Sequence, residues 1–337
     1  MKAMVLRHPN PVHNRPLNLD EVEAPEPGPG QIRIRVRACG VCHTDLHTIE
    51  GELGRLPLPL IPGHQVVGTV DSLHGRMRGV KVGDRVGAAW LHETCEACPF
   101  CTRGDENLCP DARFTGYHVN GGYAEYMTIG HGFAYRLPRG LDDVQAAPLL
   151  CAGIIGFRAL RLSGVLPGGR LGLYGFGASA HVAIQIARHW GCEVYAFSRG
   201  EQHRALAAEL GAAWTGESGE PPPQRLDAGI VFAPAGSIVP QALEHLAPGG
   251  TLALAGIYMS EIPPLEYERH LYYEKVLRSV TAATRADGRN LLRLAAKIPI
   301  HTTVQTYALE DANRALCDLK DGAVNGAAVL TMEQTPA

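Results

Sequence analysis

Four cysteines stand within fifteen residues, spaced Cys95-x2-Cys98-x2-Cys101-x7-Cys109. Zinc takes four ligands in a tetrahedron, and two-residue gaps let neighbouring thiolates converge from one turn of backbone. Pro99, Gly104 and Pro110 fit a segment shaped by ligation rather than by a core. An iron–sulfur cluster is the metal alternative, since C-x2-C-x2-C also occurs in ferredoxins, but there the fourth cysteine follows after three residues rather than seven. Four thiolates leave no open position, so a zinc held here is structural.

A second group is dispersed. Gly40-Val41-Cys42-His43-Thr44-Asp45-Leu46-His47 puts a thiolate, imidazoles, a hydroxyl and a carboxylate within six residues, and Gly63-His64 follows the loop Leu56 to Pro62. Taken alone, Cys39-Gly40-Val41-Cys42 is a candidate redox dithiol, although no thioredoxin-like βαβ pattern surrounds it, and a lone His64 reads as a core histidine.

A third group is Gly175-Phe176-Gly177-Ala178-Ser179-Ala180, which follows a predicted strand and opens a predicted helix. Ala180 takes the place of the third glycine of the dinucleotide fingerprint, a variant the motif allows. Glycine there lets the backbone approach a pyrophosphate resting on the helix N-terminus. About twenty residues on, NAD sites carry Asp or Glu for the ribose 2′-hydroxyl. Here the sequence has Phe197-Ser198-Arg199-Gly200, with His203 and Arg204 one turn further. Ser198 can donate to a 2′-phosphate and Arg199 can pair with it, so NADP(H) is expected over NAD(H). A ligand-free βα turn and a solvated loop arginine are the plainer readings of the same residues.

Together these motifs resemble the zinc-dependent medium-chain alcohol dehydrogenases. Gly40 to His47, Pro62-Gly63-His64, the four-cysteine lobe, Leu150-Cys151-Ala152-Gly153 and the glycine fingerprint follow that family's order along essentially the whole chain. The resemblance implies a catalytic zinc on Cys42, His64 and Cys151 beside the structural one, two per chain. It implies Asp45 as the carboxylate orienting the histidine ligand, Thr44 as the hydroxyl taking the substrate proton, and His47 as the base passing it to solvent. His43 occupies the position facing the cofactor pyrophosphate, and Trp90 a substrate-pocket position with Ile257 nearby. Gln65 departs from the family's Glu, Ile155 from a frequent Thr, and Ala327 from a frequent Arg, for which Arg285 is the suggested substitute. The implied reaction is reversible oxidation of alcohols to aldehydes or ketones. Polyol oxidation, a zinc-free quinone or enoyl reductase and a non-catalytic, redox-sensing cofactor-binding protein are the alternatives. Assembly into a homodimer or homotetramer is implied as well.

The elements that must position these residues fall into two kinds. Ile32 to Ala38 alternates apolar and basic residues as a half-buried strand does, Gln65 to Val70 and Val80 to Val86 are further strand candidates, and Pro25 to Gly30 is loop. From about residue 145 helices and strands alternate. Val144 to Leu162 is helical with an interruption at Pro148, and strands are expected at 171–174, 192–197, 228–232 and 251–255, with helices at 180–190, 201–210 and 237–246. That alternation implies a parallel sheet covered on both faces. The expected fold is α/β: an irregular β-rich GroES-like catalytic domain at 1–147 and 286–337, and a Rossmann, doubly wound cofactor domain at 148–285.

The chain's 337 residues carry 31 Lys and Arg against 34 Asp and Glu, a net charge of −3 that gives no reason to expect nucleic acid or an anionic membrane as partner. No run approaches the roughly 18 apolar residues of a membrane span. Glycine is abundant, 39 residues, as close backbone approaches require. An odd count of nine cysteines and an N-terminus unlike a signal peptide argue for metal ligation over disulfides, in a cytoplasmic protein.

Overall fold

The computed structural model describes residues 1–332. Two compact units are present: Met1–Cys151 with the chain from Ala282 onward, and Ala152–Thr281. The junctions expected from sequence lay after residues 147 and 285. The observed ones fall after Cys151 and Thr281, leaving residues 148–151 and 282–285 in the first unit.

The first unit is built around the strand Gln31–Val41. Its first half alternates half-buried Gln31, Arg33 and Arg35 with buried Ile32, Ile34 and Val36; from Ala38 to Val41 every residue is buried. One face of the sheet therefore meets water at the start of the strand, and the chain dives inward before Cys42. Gln31–Val41 pairs antiparallel with Gln65–Leu73, with Gly40 opposite Gln65. That register brings Cys42, just past one strand, beside His64, just before the other. Ala327–Thr331, Tyr126–Gly130, Arg85–Ala88, Tyr135–Arg136 and Val304–Ala308 complete the seven strands. The expected strand over 80–86 is mostly turn. Val80 to Asp84 form no ladder, Gly83 has φ +85°, and only Arg85–Ala88 is strand. Val82 there is 58% exposed, so its apolar side chain was a misleading signal.

The stretch expected to be helical around Pro148 is α over Asp143–Ala146 and 3-10 over Ala147–Leu150, and helical again over Ala152–Ser163. Pro148 sits in the first turn of its 3-10 segment, where its missing N–H costs nothing. The break falls instead at Cys151, whose φ of −131° and ψ of −71° are not helical.

The second unit is one parallel sheet of six strands. Across it they run Trp214–Gly216, Glu193–Phe197, Arg170–Tyr174, Leu226–Val231, Leu246–Leu254 and Val276–Ser279, the 3-2-1-4-5-6 order of the Rossmann fold. The central strands are apolar on both faces, and Tyr174 stacks on Phe197 with centroids 4.2 Å apart. Among the described residues no single helix is long and apolar enough to cross a membrane.

Candidate active site

Cys42 ends the central strand and caps the helix His43–Glu50. The cap is reciprocal: the Thr44 N–H donates to Cys42 Sγ at 3.3 Å, and the Cys42 N–H donates to Asp45 Oδ2 at 3.0 Å. The other Asp45 oxygen accepts from His64 Nδ1 at 2.9 Å. Asp45 thus fixes the helix start and the imidazole together, leaving Nε2 of His64 facing Cys42 Sγ at 3.4 Å. His64 is fully buried. Cys151 arrives from the end of its 3-10 segment, and the ligand atoms of Cys42, His64 and Cys151 all lie within 4.8 Å of one another.

The charges in this cluster are tightly linked. Cys42 is held well below the usual thiol range by the Cys151 thiol, then by His64 and Thr44, against the cost of burial; Cys151 is pushed well up by the same contact. Burial works against charge on His64, but Asp45 and then Cys42 outweigh it and push the imidazole up to about 10. Two sulfurs and one nitrogen around a common point are a zinc donor set with one position left open. For tetrahedral zinc, S and N ligands stand about 3.6 Å apart. The observed 3.4 Å from Cys42 to His64 fits.

The cysteine lobe fits a metal equally well. Sγ separations are 3.6 Å for Cys98–Cys101, 3.5 Å for Cys95–Cys109 and 3.9 Å for Cys95–Cys101. A tetrahedron of zinc thiolates has edges of about 3.8 Å. Backbone N–H groups of Ala97 and Cys98 bring the Cys95 thiol down to about 7. Among the described residues these two groups are the ones with metal-binding geometry.

On the helix that Cys42 caps, Thr44 is buried and His47 half-buried, at i and i+3, while His43 is exposed. The His47 ring pairs through Nδ1 with Glu52, a residue that sequence reasoning did not single out. Trp90 sets its edge on the His64 ring at 5.0 Å and stacks on Phe114 at 4.9 Å and on Tyr117 at 5.9 Å. Phe114 and Tyr117 were also missed, since no local pattern links them to Trp90. Gln65 is buried directly after His64.

In the second unit, Gly175 ends the strand Arg170–Tyr174 and Ala178–His189 begins at Gly177. Gly175 has φ +86°, and a Cβ there would lie 2.8 Å from the Ala233 nitrogen, so only glycine serves. A Cβ on Gly177 would meet nothing within 4 Å, which leaves free space over the helix N-terminus. Ser179 is half-buried and Ala180 fully buried. Ser198 is half-buried at the end of the strand Glu193–Phe197, and Arg199 is exposed beside it. Arg204 differs from expectation: its Nη1 donates to the carbonyls of Ser198 at 2.7 Å and Arg199 at 2.9 Å, so it braces this turn through the backbone.

Arg285 requires a correction. It lies in the first unit, and Nε and Nη2 donate to Glu106 at 2.8 and 2.6 Å while Nη1 donates to Glu96 at 2.8 Å. Its plane rests 4.2 Å over the Phe133 ring. Three of its five N–H donors are thus committed to carboxylates of the cysteine lobe, so the structure places it as a brace of that lobe rather than a free cofactor-binding arginine. Of the other two departures, Ala327 is buried at the head of its strand and Ile155 half-buried in Ala152–Ser163. Ile257 is 50% exposed on the second unit.

The family profile described as "Alcohol dehydrogenase GroES-like domain" matches residues 28–139, and that described as "Zinc-binding dehydrogenase" matches residues 180–297. The chain is 49% identical over 335 residues to a probable alcohol dehydrogenase, AdhA, of Mycobacterium tuberculosis, covering 98% of this chain and 97% of that one. The chain belongs to the zinc-type medium-chain dehydrogenase/reductase family. An alcohol dehydrogenase of Geobacillus stearothermophilus is 36% identical across 99% of this chain and 100% of its own. A solved NAD-dependent alcohol dehydrogenase superposes with a TM-score of 0.90 at 26% identity, covering 99% of this chain and all of that one. Family membership supplies the setting for the glycine fingerprint: a zinc-binding dehydrogenase fold with a nicotinamide cofactor.

Proposed function

We propose that this protein is a zinc-dependent alcohol dehydrogenase, interconverting alcohols with aldehydes or ketones and preferring NADP(H). The observation that carries the reading is the triad Cys42, His64 and Cys151, gathered around a fully buried imidazole, whose two sulfurs and one nitrogen leave a coordination position open at the start of the helix that carries Thr44 and His47. Cys42, His64 and Cys151 would hold a zinc ion that would supply Lewis-acid polarisation of the substrate oxygen, and a bound nicotinamide would supply the hydride acceptor or donor. The chain's own residues do the rest. Asp45 holds His64 in the tautomer that presents Nε2. The Thr44 hydroxyl takes the alcohol's proton, and His47 receives it as base. Trp90, with Phe114 and Tyr117 behind it, walls the substrate side with aromatic surface, which favours small apolar alcohols over polyols.

Several observations support the finer points. The turn after Phe197 carries Ser198 and exposed Arg199 with no carboxylate at either position, which suits a 2′-phosphate. Cys95, Cys98, Cys101 and Cys109 suit the second, structural zinc. Nine cysteines without a disulfide suit the reducing cytoplasm. The strand Val276–Ser279 is an open sheet edge, flanked by exposed Tyr267, Tyr272 and Tyr273, and suits pairing with a second copy in a homodimer or homotetramer. The test is metal content per chain beside initial rates with NADPH and NADH on small aldehydes. Two zincs and faster NADPH oxidation are expected; one zinc and no aldehyde turnover overturn the reading.

A further inference from the structure

We propose that Glu52 is the outer member of the proton path, holding His47 in the tautomer that receives the substrate's proton and taking the proton from its far side. This rests on the alcohol dehydrogenase reading above.

The backbone builds the contact. The helix His43–Glu50 closes on Gly51 at φ +80°, with the Gly51 N–H donating to the Thr48 carbonyl at 3.1 Å and the Glu52 N–H to the His47 carbonyl at 2.9 Å. That pair of bonds is a Schellman closure, and it folds residue 52 back over residue 47. Gly51 is required twice over: its φ suits glycine, and a Cβ would lie 2.9 Å from the Pro9 side chain. The next residue is pinned as well, since the Tyr117 hydroxyl donates to the Leu53 carbonyl at 2.5 Å. Glu52 is thus delivered to Nδ1 of His47 by fixed backbone on both sides. A rotamer found by chance would show no such support.

Exposure gives the path a direction. The His47 side chain is 14% exposed and the Glu52 side chain 46%, so the pair runs from a half-buried base to open water. Paired in this way, neutral His47 carries its proton on Nδ1, shared with the Glu52 carboxylate, and Nε2 is the nitrogen that receives the incoming proton. A proton arriving at Nε2 makes the imidazolium; the Nδ1 proton then passes to Glu52 and on to water, leaving Glu52 as it began and His47 as the Nε2–H tautomer. Exchange of one ring proton with water, with the Glu52 carboxylate drawing the proton back to Nδ1, returns the starting form. Other charged groups on neighbouring elements have their own partners. Lys320 bonds Glu50 at 2.6 Å, and His13 pairs with Asp321 at 3.4 Å. The His43 ring stands 6.5 Å from His47 on the same helix.

The experiment uses the full chain, zinc-loaded, with Glu52→Gln and Glu52→Asp made alone and in a His47→Gln background. Alcohol oxidation is followed across neutral to alkaline pH, and the His47 tautomer is read by NMR of its ring nitrogens. Glu52→Gln is expected to lower kcat roughly tenfold with KM unchanged, and added imidazole buffer to restore it. Glu52→Asp keeps the charge and retains most of the rate. Loss of the carboxylate also removes the preference for Nδ1–H, so the ring-nitrogen NMR signals of His47 move toward a mixture of the two tautomers. In the His47→Gln background, Glu52→Gln changes nothing further. A Glu52→Gln enzyme with parental kcat, or an equal loss in the His47→Gln background, overturns the proposal. If the parent oxidises no alcohol with either cofactor, the underlying reading falls, and the His47 tautomer still reports on the pair: an unchanged tautomer in Glu52→Gln overturns it too.

Discussion

The two groups of the first unit that have metal-binding geometry are assembled in opposite ways. Cys95, Cys98, Cys101 and Cys109 come from one short segment, their sulfurs converging through local turns, and Cys95 is exposed. Cys42, His64 and Cys151 come from a strand end, the start of another strand and the end of a 3-10 segment, and they meet around a fully buried imidazole. A local site needs only its own turns, so its failure is contained. The dispersed site needs the register of Gly40 against Gln65 and the break at Cys151, so it has a fixed geometry suited to chemistry.

The largest expected effect breaks the dispersed site. Cys151→Ser should lower kcat on the order of a thousandfold and leave one zinc per chain, measured by turnover and elemental analysis. The mirror experiment, Cys98→Ser, should also remove one zinc, but its cost appears as a Tm lower by roughly 5–10 °C with kcat per folded molecule kept. Asp45→Asn probes how far the dispersed site depends on its supporting carboxylate. Affinity for zinc should fall about 10- to 100-fold in competition with a chelator. Arg285→Met tests the lobe's anchorage. Buried Glu106 loses its guanidinium partner, so urea denaturation should show a loss of about 2–4 kcal/mol, while KM for the nicotinamide cofactor stays unchanged.

The smallest effect concerns pH and sets the two units side by side. Burial holds His92 in the first unit and His181 in the second down to about 4, and neither ring nitrogen of His181 has a partner. Each group binds a proton more readily unfolded than folded. Stability is therefore complete above about pH 6.5 and falls as pH drops toward 4. At pH 5.5 each should cost about 1 kcal/mol, and His181→Leu should flatten its share of the denaturation profile.

What could be read from sequence follows the same divide. The lobe was legible because its four ligands sit in one window, and the fingerprint because Gly175 and Gly177 lie in a strand–turn–helix context. The second unit's strands read well because both faces are buried, as in Leu171 to Tyr174. Cys42, His64 and Cys151 became a set only through family resemblance, since spacing alone does not join residues 109 positions apart. Arg285 was misread because its partner Glu106 lies 179 residues away and no local pattern announces it. Glu52 escaped notice because its role depends on how Gly51 turns the backbone.

The second unit is an insertion in the first, and synthesis must respect that order. Cys42, His64 and Cys151 leave the ribosome before any residue of the insert, and so do the four lobe cysteines. The strand Ala327–Thr331, which pairs with the central strand bearing Cys39 and Gly40, and Arg285, which clamps the lobe, emerge only after the insert is complete. Every metal-binding residue of the nascent chain is therefore in place while its sheet is still unclosed, and the guest domain has its full sequence before its host can close.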